Sequence, residues 1–550
     1  PIDSIHIDHN NSISSFGFSR PFELVMEDDS MNYHIYELAE PLVPGDTLLF
    51  TFAISNKPNE ILRNNSPIRE NGTFINNTIF PRIGYQESGE LSGKDARERY
   101  DLPPKDRMAP PTDSVARMNN YISNDADWIE FETTISTSPE QIAIAPGYLQ
   151  EEWEEDGRRY FHYKMDSTMI NFYSFISAEF EVVKDTWNDV ALEIYYHKGH
   201  EYNLDYMMEG IKKSLDYYTE EYSPYQHQQV RIIEFPRTGG SFAQSFANTI
   251  PYSEAIGFIA EVDTTNDEGV NYPFSITAHE VAHQWWAHQV IGANVQGATM
   301  LSESLSEYSS LKVLEKEHGV NQMRTFLKDA LDSYLTGRTL ESQKELPLIY
   351  NENQQYIHYN KGSLVFYALS DYIGEDNLNA ALSSFIDEVA YQEPPYTTSL
   401  ELLGYLKDAT PDSLQYLIKD MFETITLYDN RVGDATYSEI DSSTYEVNLT
   451  LQVSKYRTGE TGKRTYKNEA GDSLAIEIED RRLPVQSLPL QDWVDVGVFG
   501  TDSTGQETVL YFKKHKFTVD QEPTSAGIDP YNKLIDTISN DNRRPPTRED

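Results

Sequence analysis

The chain reads as a multidomain α+β protein: a β-rich N-terminal part, a mainly helical middle and a β-rich C-terminal part. Three observations predict this. At 550 residues the chain is too long for one core, and its length favours three or four domains. Apolar periodicity passes from alternation to steps of three and four near residue 200, and returns to alternation near 435. The helical part also carries a pattern with chemical content, Ser275-Ile-Thr-Ala-His279-Glu280-Val281-Ala282-His283-Gln-Trp-Trp286.

Residues 1–195 form the expected N-terminal β domain. Runs such as Thr47–Ile54, Trp128–Ile135 and Ala178–Val183 have strand composition and are separated by Pro, Asn, Asp and Gly. A charged, proline-containing stretch over 86–120 reads as a long surface loop of that domain. The second domain is expected over 196–432. Leu204, Met208, Ile211, Leu215, Tyr218 and Tyr222 fall on one helical face, and Val230–Phe235 follows as a strand. From 275 to about 427 the period is helical, including Gln322–Leu335, Tyr356–Ile373 and Asn377–Val389. A further helix is expected after Thr410-Pro411, with Thr410 as N-cap and Pro411 at the first helical position. Strands return over 433–525, where Thr444–Val453 alternates for most of its length. Residues 526–550 are expected as a tail whose end, Asn540–Asp550, is charged, Pro-containing and disordered.

Composition narrows the partners. Apolar residues make up 39% and aromatics 12%, with 37 Tyr, ample for buried cores. A net charge of −45 argues against nucleic acid or an anionic membrane surface, which need clustered Lys and Arg. It reads as a strongly solvated surface. With no cysteine, disulfides and thiolate chemistry are excluded, so any zinc must sit on His, Asp or Glu. No stretch approaches the 18 apolar residues of a membrane span. The chain opens at Pro1 without an initiator Met or signal peptide, and is expected to be processed or cut from a longer protein.

On a helix, residues four apart lie on one face, so His279 and His283 can aim both imidazoles at one metal ion. Glu280 lies beside them, placed to deprotonate a metal-bound water. No Gly or Pro interrupts Phe274–Ile291, so a helix is allowed there. Such a five-residue pattern also arises by chance, so a third ligand matters. Glu303 precedes a helical apolar run (Leu305, Tyr308, Leu311, Leu314) and is the first choice; Glu307, one turn on, competes. The bland alternative is that both are solvated or capping carboxylates, because Ser304-x-x-Glu307 fits a capping box. His288 falls off the ligand face and reads as structural, and Trp285 and Trp286 as core.

HEVAHQWW followed by Leu301-Ser-Glu303-Ser-Leu-Ser-Glu307-Tyr308 resembles the zinc metallopeptidases of the aminopeptidase N (gluzincin) family. The resemblance implies one Zn²⁺ with Glu303 as third protein ligand. The family's usual gap before that Glu is eighteen residues. Here Gln284 to Ser302 makes nineteen, and the loop near Gly292–Gly297 is expected to absorb the extra one. Tyr356-Ile-His-Tyr359-Asn-Lys361-Gly362 resembles the family's Tyr-x-Lys-Gly motif and implies Tyr359 as the hydroxyl that stabilises the tetrahedral intermediate, with Tyr356 as alternative. A third landmark departs from the pattern. Where the family has Gly-x-Met-Glu-Asn, whose Glu binds the substrate's α-amino group, this chain has Gly240-Ser241-Phe242-Ala243-Gln244-Ser245. Aligned on Tyr252-Ser-Glu254, Gln244 takes the Glu position; counted from Gly240, Ala243 does. Neither carries the charge an ammonium favours. Gly240, Ser241, Ala243 and Gln244 remain the substrate-binding candidates, through an edge-like backbone that could hold an extended peptide.

The domain order also resembles the family plan: an N-terminal β-sheet domain, a thermolysin-like catalytic domain and a C-terminal β-sandwich. The wording around HEVAHQWW, with Phe80–Tyr85 and Ala526–Asp536, is similar to a bacterial branch in which peptidase domains are fused to ABC-transporter-type membrane segments. By that resemblance the chain is expected on the extracytoplasmic, periplasmic side, within a longer membrane-anchored protein. The expected function is zinc-dependent hydrolysis of peptide bonds, aminopeptidase-like, in which Glu280 takes the water's proton and passes it to the leaving amine. The rival expectation is a peptide-binding or regulatory transporter ectodomain with a slow or structural zinc site.

Overall fold

The computed structural model describes residues 2–8, 12–28, 33–57, 67–262, 271–341, 344–460, 464–467, 473–476, 488–503, 507–512 and 517–549. It is a mixed α/β structure with several sheets. The change of period near 200 corresponds to a four-stranded sheet made of Phe180–Trp187, Val190–His197, Gln229–Phe235 and Thr249–Ser253, side by side in that order. The first pair is antiparallel and the next two are parallel. A parallel step needs a crossover, and helix Leu204–Glu221 supplies the first, burying Met207, Met208, Ile211, Leu215 and Tyr218 along one stripe. Val230, Ile232 and Ile233 are all fully buried, as in a strand covered on both faces. The sheet spans position 195, joining strands on both sides of it.

The segment between Phe235 and Thr249 doubles back along Thr249–Ser253. Ser253 N donates to Phe242 O (3.0 Å), Gln244 N to Pro251 O (3.0 Å) and Phe246 N to Thr249 O (2.9 Å). The Gly240–Gln244 stretch is therefore a short strand-like edge, as its sequence suggested.

Within the N-terminal region, runs expected as single strands are divided because the chain changes sheet. Trp128–Ile129 pairs with Met169–Ile170, whereas Glu132–Thr137 pairs with Arg159–Lys164. Ser174–Ala178 pairs with Ile142–Ile144, whereas Phe180–Trp187 joins the four-stranded sheet, so the break falls at Glu179. From Thr47–Ile54 only the part within Phe50–Ser55 is strand.

The polar stretch 86–120 departs from the expected free surface loop. After a short helix, Lys94–Arg99, it packs as a strap against the helical region. Gln296 N donates to Ala109 O (2.8 Å), Asn294 N to Asn119 O (2.8 Å) and Tyr121 N to Gly292 O (3.1 Å). Arg107 pairs with Glu352 at 2.7 Å and Arg117 with Glu401 at 2.6 Å. Charge and proline read as solvent signals, but Arg107 and Arg117 are partners for a distant part of the chain.

The helical region contains Tyr272–Ala282, Leu305–His318, Val320–Leu340, Gly362–Ile373, Glu375–Val389 and Ser399–Ala409. The expected helix start at Thr410-Pro411 is shifted. Thr410 ends the preceding helix, its hydroxyl donating to Leu406 O at 2.7 Å, and Pro411 is itself the cap of a short 3₁₀ turn, Asp412–Leu414. Among the described residues, no helix is long and apolar enough to cross a membrane.

At the C-terminal end, Ile425–Asp441 and Thr444–Thr458 form a long hairpin. A second sheet, Val496–Thr501 with Glu507–Phe512 and Ser525–Ile528, shares the buried residues Tyr437, Val447, Val498, Val519 and Ala526 with it. The expected disorder of 540–550 is contradicted: Arg543–Arg544 pairs with Ala526–Gly527, and Thr547–Arg548 with Thr436–Tyr437. Asn542, Ile535 and Asp536 are buried, so this segment is part of the packing despite its charge.

One buried cation ties the N-terminal part to the four-stranded sheet. Arg231 is 1% exposed, and one of its nitrogens reaches Ala145 O (2.7 Å), Gly147 O (2.8 Å), Asn248 Oδ1 (3.1 Å) and Thr249 Oγ1 (2.8 Å). Hydrogen bonds from a charged donor are the strong ones, and removing it leaves buried carbonyls unpaired. Arg231→Met is expected to lower stability by about 3 kcal/mol, read as a fall in the chemical denaturation midpoint. An unchanged midpoint would show the network to be dispensable.

Candidate metal centre

The His279-Glu280-Val281-Ala282-His283 segment lies at the end of helix Tyr272–Ala282, which Asn271 caps by accepting from Phe274 N at 3.2 Å. Its small residues matter. Ala278 and Ala282 are fully buried, and Tyr218 OH donates to Ala278 O at 2.9 Å. Gly210 meets Thr277 so closely that an added Cβ would lie 3.1 Å from it. The crossover helix thus fixes the rotation of the motif helix and turns its other face toward Glu303.

The helix ends at Ala282, short of the Ile291 that the Gly- and Pro-free run allowed. Downstream carbonyls are taken by side chains instead: Gln226 donates to Gln284 O (2.6 Å) and His283 Nδ1 to Trp286 O (3.0 Å). Trp285 and Trp286 are fully buried, their indole nitrogens donating to Ser223 O (2.9 Å) and Ser309 Oγ (3.0 Å). Tertiary packing overrides helix propensity here.

Three donor atoms converge. His279 Nε2 and His283 Nε2 are 3.0 Å apart, and Glu303 Oε2 lies 3.5 Å from the first and 3.3 Å from the second. Donors about 2.0–2.1 Å from a tetrahedral zinc stand roughly 3.3 Å apart, so the triangle has the size such an ion needs. Both imidazoles are held from behind. His283 Nδ1 is fixed by Trp286 O and lies 3.1 Å from Ser306 Oγ. His279 Nδ1 lies 3.1 Å from Glu307 Oε1, at ion-pair distance though not in hydrogen-bond alignment. This arrangement separates the two competing carboxylates: Glu303 faces the Nε2 atoms and Glu307 sits behind His279. The capping-box alternative is not adopted, because Ser304 Oγ donates to His358 O at 2.6 Å and makes no cap bond.

Glu303 lies in a π-turn, Met300–Ser304, that opens helix Leu305–His318. A π-turn holds one residue more than an α-turn, so it can take up the extra residue of the nineteen-residue gap. The Gly292–Gly297 loop, the other place for it, is held by the strap, by Thr397 O and by Asn351 O.

Glu280 is 6% exposed and, among the described residues, its Oε2 has no hydrogen-bond partner. Burial pushes its carboxyl above the usual range, against the pull of the His283 and His279 imidazoles. Tyr359 sits in a second π-turn, Tyr356–Lys361, its ring centroid 5.8 Å from that of His279. Burial, then the Glu303 and Glu280 charges, hold its phenol far above its ordinary range, so it stays a neutral donor. The alternative, Tyr356, is used elsewhere: its OH donates to Glu341 (2.9 Å) and its ring stacks on Tyr334. The following glycine allows the approach. A Cβ on Gly362 would lie 2.1 Å from Ser304 Oγ and 2.5 Å from Ser304 Cβ, so only glycine lets the Tyr359 turn rest on the Glu303 turn.

The Gly240–Gln244 edge is anchored to the same segment. Gln284 Nε2 donates to Ser245 Oγ (2.6 Å) and Phe246 O (2.9 Å), and His288 Nε2 lies 3.1 Å from Ser245 O. Ala243 bridges Tyr252, whose buried phenol feels the Glu280 charge. Gln244 Oε1 is buried without a partner, whereas Ser241 is exposed. Tyr121, on the strap, was not singled out in the sequence: its half-buried phenol lies beside Ser302 and feels the Glu303 charge. One Tyr among 37, some 180 residues from Glu303, gives no local signal.

Residues 202–422 match the peptidase family M1 domain. The chain is similar to endoplasmic reticulum aminopeptidase 2 of Homo sapiens, 20% identical over 46% of this chain and 26% of that protein. It also resembles leucyl aminopeptidase of Saccharolobus solfataricus, 19% identical over 59% of this chain and 43% of that one. Human aminopeptidase N is 24% identical over 46% of this chain and 27% of its own length. The matched parts thus span less than half of these relatives. The fold is similar to a crystal structure of a mutant M1 zinc metallopeptidase from Deinococcus radiodurans, with a TM-score of 0.51 and 16% identity over 77% of this chain and 87% of that one. Zinc is the metal the M1 domain implies, and the nitrogen and oxygen donors of His279, His283 and Glu303 fit it.

The packing around the centre can be tested by stability. Gly362→Ala should cost about 1–3 kcal/mol by overpacking, whereas Gly404→Ala, with nothing within 4 Å of the new Cβ, should be neutral or stabilising; denaturation midpoints compare them. Burial pushes His288 down to about 4 and His227 to about 3. Below their ordinary 6.5 the unfolded chain takes up protons that the fold refuses, so stability falls as pH drops from about 6.5 toward 4. His227→Phe should flatten that limb in a melting-temperature profile, and an unchanged slope would contradict the assignment.

Proposed function

We propose that this chain is a zinc-dependent peptidase of aminopeptidase type, with one Zn²⁺ held by His279, His283 and Glu303. The observation that carries the reading is the donor triangle, 3.0–3.5 Å on each side, next to the unpartnered buried Glu280 oxygen. When bound, the ion supplies Lewis acidity, which lowers the pKa of a water and polarises a carbonyl. Glu280 accepts the proton of the attacking water at its free Oε2 and returns it to the leaving amine. Its raised pKa suits both transfers, because a base matched to the working pH also serves as the acid. Tyr359 donates a hydrogen bond to the oxyanion, a contribution of roughly 3–4 kcal/mol for such a donor. Glu307 and Trp286 O hold the imidazoles so that each presents Nε2.

The substrate is a peptide lying along the Gly240–Gln244 edge, with main-chain hydrogen bonds as its chief hold. Gln244 or Ala243 at the place of a carboxylate leaves the N-terminal ammonium without a charge-assisted partner from this stretch. Selection for free N-termini is therefore weak.

The test is hydrolysis of a peptide panel, each peptide with a free and an acetylated N-terminus, by zinc-loaded protein. Glu280→Gln is expected to lower kcat by about 10²–10⁴, and Tyr359→Phe by about 10²–10³ with KM little changed, both retaining zinc. Full activity in Glu280→Gln, or in protein stripped of zinc, would contradict the mechanism. Peptide binding without turnover in the zinc-loaded wild type would favour the regulatory ectodomain instead.

A further inference from the structure

A second group of metal-ligating side chains lies apart from the His279–His283–Glu303 triangle, at the carboxyl ends of three neighbouring strands. His197 ends Val190–His197, and His200 follows in the turn, its N–H donating to His197 O at 3.0 Å. Glu234 is the penultimate residue of Gln229–Phe235, and Glu254 follows Thr249–Ser253, its N–H donating to Phe235 O at 2.9 Å. The strands are parallel at these two joins, and the carboxyl ends of parallel strands are where ligands of open α/β sheets gather.

The geometry is that of a donor set. His197 Nδ1 is 3.3 Å from Glu234 Oε2, His200 Nδ1 is in close contact with Glu234 Oε1, and His200 Nδ1 is 4.0 Å from Glu254 Oε2. One ligand atom from each of His197, His200 and Glu234 fits within 4.8 Å of the others. The Glu234 side chain is fully buried, and among the described residues its ion pairs are with these two imidazoles alone. Its Oε2 also accepts from His197 N at 2.6 Å, which fixes the carboxylate against the strand end. A carboxylate buried in this way is costly unless a cation accompanies it. His197 Nδ1 is buried and, among the described residues, makes no aligned hydrogen bond, which leaves it available to an ion. Glu254 is already oriented: Oε1 accepts from Arg237 N at 3.0 Å, which leaves Oε2 turned toward His200.

We infer that His197, His200 and Glu234, with the Glu254 carboxylate beside His200, form a second metal site that takes zinc or a similar divalent transition-metal ion. Imidazole nitrogens with carboxylate oxygens suit such ions, and the absence of sulfur donors disfavours softer ones. The three ligands stand on or next to the ends of two adjacent parallel strands, so the ion is held by the sheet itself. It ties the end of Val190–His197 to the end of Gln229–Phe235, just before the Pro236–Gly240 turn from which the Gly240–Gln244 edge emerges. The site thereby holds the base of the edge to which the proposed function assigns the peptide, while metal binding itself does not depend on that reading.

The experiment counts zinc by mass spectrometry in the full chain after loading and dialysis, for the wild type, His283→Ala, His200→Ala and Glu254→Gln, with circular dichroism to verify folding. Two zinc ions per wild-type chain are expected, and one in each of His283→Ala and His200→Ala. Zinc should also raise the melting temperature of His283→Ala but not of the double variant His283→Ala/His200→Ala. Glu254→Gln, which touches neither imidazole backbone nor the buried carboxylate, should fold and weaken the second site. A single wild-type ion that disappears with His283→Ala would overturn the second site and leave the first intact. A single ion lost with His200→Ala but kept in His283→Ala would support the second site and overturn the first.

Discussion

Three lone-pair donors, His279 Nε2, His283 Nε2 and Glu303 Oε2, face one another at 3.0–3.5 Å in a buried space, and the helical region is arranged around keeping them there. Like-poled atoms at such distances repel unless a positive charge lies among them. Without a metal, that charge is a proton. Burial pulls the His279 imidazole down, yet the Glu307 and Glu303 carboxylates outweigh it and hold the ring well above its ordinary pKa. Burial works against the Glu303 carboxylate too, but the His283 charge keeps it well below its usual range. The site is therefore built for a cation, and a divalent ion satisfies all three donors at once.

What keeps the donors together comes from far along the chain. Helix Leu204–Glu221 sets the rotation of the motif helix through Gly210 and Tyr218. The Tyr359 turn rests on the Glu303 turn because Gly362 presents no Cβ to Ser304, and Ser304 Oγ locks the contact by donating to His358 O. Two π-turns, Met300–Ser304 and Tyr356–Lys361, thus sit face to face with Glu303 on one and Tyr359 on the other. Wide turns of this kind are marginal alone and recur where a side chain must be aimed. On the remaining side, the strap pins the loop before Glu303 and brings Tyr121 beside it. A polar loop from the N-terminal region thereby becomes a wall of the centre.

Much of the centre was legible in the sequence because its information is local. Two histidines four apart, with a glutamate between, need only helical geometry to converge, and the order of strand-rich and helix-rich segments follows from apolar period. The choice between Glu303 and Glu307 was harder. Both lie on one helical face, and only the position of His279 Nδ1 against Glu307 separates donor from support. The end of the motif helix at Ala282 could not be read from propensity, since Gln226 and the His283 ring take the carbonyls that would continue it. The strap and the C-terminal strands were misjudged for one reason. Charge and proline read as signs of solvent, whereas Arg117 and Arg107 meet carboxylates far away in sequence, and 543–544 and 547–548 add strands to existing sheets.

With Glu303 as a metal ligand and Glu307 as the support of His279, zinc affinity separates the two carboxylates directly. Competition titration of zinc against a chromophoric chelator, in a His200→Ala background, compares Glu303→Gln with Glu307→Gln. Glu307→Gln is expected to weaken binding by about 10–100-fold, as loss of the group that supports a ligand does, while Glu303→Gln loses far more. Equal affinities, or the stronger loss in Glu307→Gln, would contradict this assignment.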